Sequence, residues 1–168
     1  MDATEAIRAR RSIRKFVKGA EISEEHLRLM LEAAMMAPSA CNTRPWDFTV
    51  VKSPEMRQEI AAVHPYARMV AKASLAVVVG ARPDLLPKDL PHYWPQDCAA
   101  ATENLLLQAV ALGYGAVWCG VYPDMDRVQS IRKILGGESV PFNVIAVGVP
   151  DESPNARGYY DPERVKIL

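Results

Sequence analysis

Between about residues 96 and 112 the chain carries a helix-length segment that is apolar nearly all the way round. Ala99, Ala100, Ala101, Leu105, Leu106, Leu107 and Val110 do not fall on one stripe. A surface helix shows its core a single apolar face, so this one must be covered on most sides. A chain of 168 residues has room for little more than one sheet–helix layer in which to hide it. A second copy of the same chain, packed about a two-fold axis, would supply the missing cover. Gly113 stands where such a helix ends, at the position that takes a left-handed backbone.

The remaining pattern alternates helices and strands. Asp2 can cap a first helix carrying Ala6 and Ile7. Ser23 caps a second, whose stripe is Leu27, Leu31 and Ala34 with Met30 and Met35 alongside, and Pro38 stops it. Phe48-Thr49-Val50-Val51 reads as a strand, and Ser53-Pro54 opens a third helix. Leu75-Ala76-Val77-Val78-Val79 is a continuous apolar run of the length of a buried central strand. A proline-rich excursion follows (Pro83, Pro87, Pro91 and Pro95 around Tyr93 and Trp94) and leads into the apolar helix. Ala116-Val117-Trp118-Cys119 is a strand with Gly120 opening a turn. A helix follows over about residues 124–135, closed by Gly136-Gly137, and Asn143-Val144-Ile145-Ala146-Val147 is the last core strand. The tail after Pro150 has too few apolar residues for a core of its own, so it lies on something else or stays disordered. There is no internal repeat and no boundary, so a single domain over 1–168 is expected.

Composition narrows the function classes. Lys+Arg and Asp+Glu are equal at 20 each, which argues against nucleic acid or an anionic membrane as partner. No apolar run reaches the roughly 18 residues of a membrane span. The three cysteines (Cys41, Cys98, Cys119) form no C-x-x-C and leave one unpaired, which suits reduced thiols in the cytoplasm. His26, His64 and His92 lack metal-ligand spacing, so no metal site is expected.

Against that neutral balance, Arg10-Arg11-Ser12-Ile13-Arg14 stands out. Guanidinium groups present planar donor pairs that suit a phosphate monoester, and a serine hydroxyl adds a neutral donor. Taken alone, the five residues also read as a solvated basic turn complementing the negative end of the first helix. Signatures that would bring chemistry of their own are missing. Gly113-Tyr114-Gly115 has Trp118 where a dinucleotide fingerprint needs its third glycine, and it precedes a strand. There is no Walker loop, no Gly-x-Ser-x-Gly elbow and no nucleophile–base pair. A phosphate site without a nucleotide fold suggests a cofactor that carries the reaction itself. A second stretch, Pro38-Ser39-Ala40-Cys41-Asn42-Thr43-Arg44-Pro45-Trp46, is a stiff loop of small residues suited to close approach of a planar ligand. It also reads as a plain helix-to-strand connection anchored by Trp46.

In this order the motifs resemble the nitroreductase family of flavoproteins over essentially the whole chain. Arg10 to Arg14 is similar to the family's phosphate motif. Pro38-Ser39, Asn42 and Pro45-Trp46 are similar to its P-S-x-x-N-x-Q-P-W loop, with Arg44 where glutamine is usual. Asp97 to Ala101 with Asn104 to Leu107 is similar to its central dimer helix, and Ala111 to Trp118 to its A-L-G-L-G-x-x-W strand entry.

The resemblance implies an α+β fold: a central mixed β-sheet flanked by helices, in a homodimer whose C-terminal tail is domain-swapped. It implies FMN at the dimer interface, NADH or NADPH as a transient hydride donor, and a small-molecule electron acceptor such as a nitroaromatic or quinone, with ping-pong kinetics. Arg10, Ser12 and Arg157 would hold the phosphate, with Arg11 adding backbone or phosphate contacts. Arg14 would sit near the pyrimidine edge. Pro38, Ser39, Ala40 and Asn42 would come from the partner subunit, and Trp118 and Gly120 would line the ring. No side chain need act as general acid or base. The chain is shorter than larger members, so a more open site is expected. Alternatives are a specialised member (a reductive dehalogenase or flavin-fragmenting enzyme) or a flavin-binding regulatory or storage dimer without turnover.

Overall fold

A computed structural model describes residues 1–168 apart from positions 89, 91 and 156, so Pro91 of the proline-rich excursion lies outside the described residues. The helices are α1 (Ala3–Ala9), α2 (Glu24–Met35), α3 (Pro54–Val63), α4 (Trp94–Ala111) and α5 (Met125–Leu135). The strands are β1 (Trp46–Val51), β2 (Leu75–Ala81), β3 (Gly115–Gly120) and β4 (Val140–Gly148).

Local signals set most of the boundaries. Asp2 and Glu5 form a reciprocal capping box at α1. Ser23, Ser53 and Asp124 each accept an amide of the first turn of α2, α3 and α5, and Pro54 occupies the first position of α3. Gly113 takes φ +84° and closes α4 with two bonds, Tyr114 N–H to Ala109 O and Gly113 N–H to Val110 O. That pairing is the double-bonded helix stop that only a residue free to adopt positive φ terminates cheaply.

The sheet order is β1-β2-β4-β3. Every strand pair is antiparallel, which corrects the mixed sheet expected from the sequence. Among the described residues the parallel pairing is an isolated bridge from Ser12, which lies outside the strands, to Ala116 of β3. β2 is buried along its whole length, as a continuous apolar run requires. Its alternate residues feed two cores. Leu75, Val77 and Val79 pack under α2 and α4; Ala76 and Val78 face α3 and α5.

Within one chain α4 buries a single stripe, including Cys98, Ala101, Leu105, Leu106 and Ala109. Ala99, Ala100, Leu107 and Val110 remain part-exposed. One copy of the chain therefore leaves part of this helix uncovered. The tail contains one short 3-10 turn, Pro162–Arg164, and leaves Tyr159, Tyr160, Ile167 and Leu168 exposed.

Candidate functional site

α1 is only two turns long, and Arg10 leaves it with an extended backbone. Residues 12 and 13 then lie against β3, the edge strand, and residues 15–17 pair with the segment that follows β4. The Ile13 N–H donates to Ala116 O at 3.0 Å, and Phe16 bridges Pro150. Ile13 is buried over Gly115, where any Cβ would approach Ile13 Cγ2 to 2.7 Å. Gly115 thus lets the arginine segment lie directly on the strand.

This placement gathers Arg10, Arg11, Ser12, Arg14 and Arg157 around one open cleft of about 410 Å³, together with Glu152, Pro154 and Asn155. Arg10 pairs with Glu103 of α4 at 3.2 Å. Arg11 donates from Nη1 to Arg10 O at 2.6 Å and from Nε to Asn155 O at 3.2 Å. Arg157 makes no ion pair among the described residues. Glu152 accepts the backbone N–H groups of Arg14 and Lys15. Those bonds, with the nearby cations, hold its carboxyl below the usual range. Four guanidinium groups against the Glu152 and Glu103 carboxylates leave an excess of positive charge suited to a phosphate.

Arg14 also lines a second, adjoining cleft with His64, Tyr66, Arg68, Met69, Trp118, Cys119, Gly120 and Arg127. Strand alternation fixes what this cleft offers. Val121 N–H bonds to Phe142 O, so the odd-numbered residues of β3 face β4, while the Ala116 carbonyl faces outward to Ile13. The backbone groups of Trp118 and Gly120 therefore point to the same outer edge, beyond the Ser12–Ala116 bridge. A Cβ at Gly120 would meet nothing within 4 Å. Glycine here leaves room that the chain's own packing does not fill. The Trp118 ring is half-buried against Phe142, with ring centroids 5.6 Å apart.

Pro38, Ser39, Ala40 and Asn42 line neither cleft; the chain does not bring them to the arginine segment. They form a tight turn at the head of α4. Cys41, Asn42 and Arg44 all have positive φ (48°, 56° and 49°), an uncommon conformation for residues other than glycine. Several bonds hold it. Asp97 Oδ1 accepts the Ala40 N–H at 2.9 Å, Thr43 Oγ1 donates to Ala40 O at 2.9 Å, and Ser39 Oγ accepts the Arg44 N–H at 3.0 Å. Arg44 Nε donates to Asn42 Oδ1 at 3.0 Å. The departure from glutamine at position 44 thus occupies the Asn42 carbonyl and leaves its amide NH₂ as the group to offer a ligand.

Asp97, Glu152, His64 and Arg127 were not foreseen as site residues. Asp97 had a signal, a carboxylate in the first turn of a largely apolar helix. The roles of His64 and Arg127 arise from contacts far apart in the chain. Thiol chemistry is disfavoured at the second cleft, because burial pushes the Cys119 thiol up to about 11. Among the described residues no cluster of potential metal ligands occurs, and no helix is long and apolar enough to cross a membrane.

The chain matches the model of the Nitroreductase family over residues 7–72 and 62–149. A relative from Methanothermobacter thermautotrophicus, provisionally named an NADH dehydrogenase/NAD(P)H nitroreductase, is 46% identical over 99% of this chain and 87% of its own length. One of the same name from Archaeoglobus fulgidus is 42% identical over 95% of this chain and 93% of its own. Among solved structures, a protein of that name from Bacteroides thetaiotaomicron superposes with a TM-score of 0.92 at 34% identity, covering 98% of this chain and 96% of that one. A Desulfovibrio desulfuricans nitroreductase homologue in complex with FMN superposes with a TM-score of 0.85 at 27% identity, covering 100% of this chain and 98% of that one.

Proposed function

The chain belongs to the nitroreductase family, and on that premise we propose that it is an FMN-dependent oxidoreductase that draws on NADH or NADPH to reduce a nitroaromatic or quinone. The observation that carries the reading is the pair of adjoining clefts sharing Arg14. One is cationic; the other has an open backbone edge at a glycine without neighbours. A phosphate-bearing planar group fits that pair.

In this reading Arg10, Arg11, Ser12 and Arg157 hold the phosphate, and Arg14 stands at the junction toward the polar edge of the ring. Trp118 and Gly120 line the ring, Gly120 through its outward N–H. FMN, when bound, supplies the electron-transfer chemistry. The protein's part is to bind, orient and bias it with fixed charge. No side chain in either cleft is assigned a proton-transfer role.

A homodimer completes the site. The part-exposed face of α4 packs on its copy, and Pro38, Ser39, Ala40 and Asn42 reach the ring from the partner subunit. The tail crosses the interface. The whole of 1–168 then acts as one FMN-binding domain. NAD(P)H and the acceptor use the same open face in turn. The three free thiols suit the cytoplasm.

Chromatography of heat-released cofactor tests the core of this proposal: FMN is expected, and FAD or no flavin after reconstitution overturns it. Arg10→Ala and Arg157→Ala should each weaken FMN binding by about ten- to a hundredfold, the loss of one charge-assisted bond, with little change in Tm. Unchanged affinity in both returns the cluster to a solvated basic turn.

A further inference from the structure

We infer that His64 and Arg127 are positioning residues that hold the Gly120 carbonyl and so fix the backbone at Gly120, whose N–H stands on the outer edge of β3 beside the second cleft; the inference rests on the FMN reading above. His64 is fully buried at the C-terminal end of α3. Its own N–H donates to Ile60 O at 3.1 Å and its carbonyl accepts from Ala67 N–H at 2.9 Å, so its backbone is held on both sides. The ring Nε2 lies 2.9 Å from the Gly120 carbonyl oxygen. A carbonyl only accepts, so Nε2 carries the proton and Nδ1 is bare. Nδ1 is buried with no partner among the described residues. A second proton would have nothing to bond, and burial pushes the imidazole below its ordinary pKa. The neutral Nε2–H form is the one that makes this bond.

Arg127 of α5 reaches the same oxygen from another element. Its Nη1 donates to Gly120 O at 3.1 Å, and its Nη2 pairs with Asp124 at 2.8 Å. The guanidinium also lies 5.7 Å from the centre of the Tyr66 ring, which meets the His64 ring edge-on at 6.4 Å. At the far end of the same peptide, Val121 N–H is taken by Phe142 O at 3.0 Å. Two donors on the oxygen and one acceptor on the nitrogen hold the Gly120–Val121 peptide. The Gly120 N–H belongs to the preceding peptide, whose Cys119 carbonyl faces β4, so with both flanking peptides held the backbone at Gly120 is fixed.

Packing alone does not call for such a grip. Gly120 is exposed, and its missing Cβ leaves open space. With its carbonyl occupied twice, the unpaired group at Gly120 is the N–H on the outer edge of β3. A donor held at a fixed angle costs little reorganisation when an acceptor atom of a planar ring arrives, which is the condition for electrostatic tuning of that ring.

Full-length variants with FMN as the added probe test this. His64→Phe keeps an aromatic ring and removes the donor, His64→Gln restores an amide donor, and Arg127→Met removes the second donor at a part-exposed site. His64→Phe and Arg127→Met should keep FMN affinity within about threefold of the parent while slowing reduction by NAD(P)H about five- to tenfold, the worth of one hydrogen bond. Both should lower the flavin midpoint potential, and His64→Gln should recover most of the loss. Without any flavin, ¹⁵N NMR of the apoprotein should show His64 protonated at Nε2 only, and a displaced Gly120 amide resonance in both donor-deleted variants. If His64→Phe fails to fold, Arg127→Met decides alone. A flavin-loaded parent whose Arg127→Met or folded His64→Phe variant keeps the parent's potential, rate and Gly120 resonance overturns this inference only. A parent that takes up no FMN overturns the reading beneath it.

Discussion

Glu152 accepts the Arg14 backbone N–H at 2.5 Å, joining the first residues of the tail to the arginine segment. The same Oε1 takes the Lys15 N–H at 3.1 Å, and Asp151 N–H donates to Lys15 O at 2.9 Å. This short clasp places Asn155 beside Arg11, and Arg157 on the cationic cleft. Because the Glu152 pKa is lowered in the folded chain, the clasp is in force above the ordinary carboxylate pKa and is lost as pH falls through the depressed folded value. Acidification should therefore free the tail before the sheet unfolds. Limited proteolysis at a series of pH values should show cleavage after Pro150 rising at acid pH while the core persists. In Glu152→Ala the same cleavage should appear at neutral pH. A tail equally protected in parent and variant would contradict the clasp.

Gly115 and Gly120 stand at opposite ends of β3 and predict opposite outcomes. Gly115→Ala drives a methyl to within 2.7 Å of buried Ile13, so the arginine segment must lift from the strand. Overpacking of this kind costs roughly 1–3 kcal/mol. Gly120→Ala meets nothing within 4 Å. It should leave Tm almost unchanged and weaken FMN binding, since the methyl enters the space assigned to the ring. Thermal denaturation and flavin titration on both variants separate the effects. A Gly120→Ala protein with undiminished flavin affinity would remove Gly120 from the site.

What the sequence disclosed and what it hid follows from the range of the interactions. The caps at Asp2, Ser23 and Ser53 are contacts over three residues, and each was readable; Asp124, expected as the first helical residue, is instead the cap of α5. The buried β2 was readable because both of its faces are apolar. Strand ends were not. β1 begins at Trp46 because Trp46 pairs with Ala81, and β4 begins at Val140 because a bulge after Val79 lets Gly80 and Ala81 pair with Pro141 and Val140. α4 starts at Trp94, two residues before the expected Gln96, with Pro95 tolerated in its first turn. Met35, placed beside the apolar stripe of α2, is half-exposed in the single chain. At the site, the cluster from Arg10 to Arg14 was visible as charge. The bond from His64 to Gly120 spans 56 residues and that from Ala40 to Asp97 spans 57. No local pattern announces either.

The tail and α4 predict a joint loss. Tyr159, Tyr160, Ile167 and Leu168 are exposed in one chain, and so in part are Leu107 and Val110. A monomer that left these in water would forgo roughly 25 cal/mol for each Å² of apolar surface kept exposed. Removing residues from Asp151 onward should cost flavin and dimer together, as read by absorbance and by light scattering. A truncated chain that stays dimeric, yellow and as heat-stable as the parent would count against a crossing tail.

The final prediction concerns the order of reaction. The chain has one open face beside Trp118 and Gly120, and it lacks a dinucleotide fingerprint that would seat a nicotinamide elsewhere. On the proposed function both substrates would occupy the same space, one leaving before the other enters. Initial rates with both varied should give parallel double-reciprocal lines. Anaerobic NAD(P)H alone should bleach the flavin fully, with no acceptor present. Intersecting lines and a required ternary complex would refute a shared face. Failure of either nicotinamide to reduce the flavin would favour the specialised or non-catalytic alternatives. Arg14 can be examined in the same measurement. It lines both clefts, and its Nη1 rests 3.3 Å from Ser12 O, with no carboxylate in an ion pair to it among the described residues. A cation so placed favours added electron density on a neighbouring ring. Arg14→Ala should lower the flavin's reduction potential and slow bleaching more than it weakens flavin retention, whereas Arg10→Ala should do the reverse. Equal losses in both properties from both variants would mean that the two arginines share one role at the phosphate.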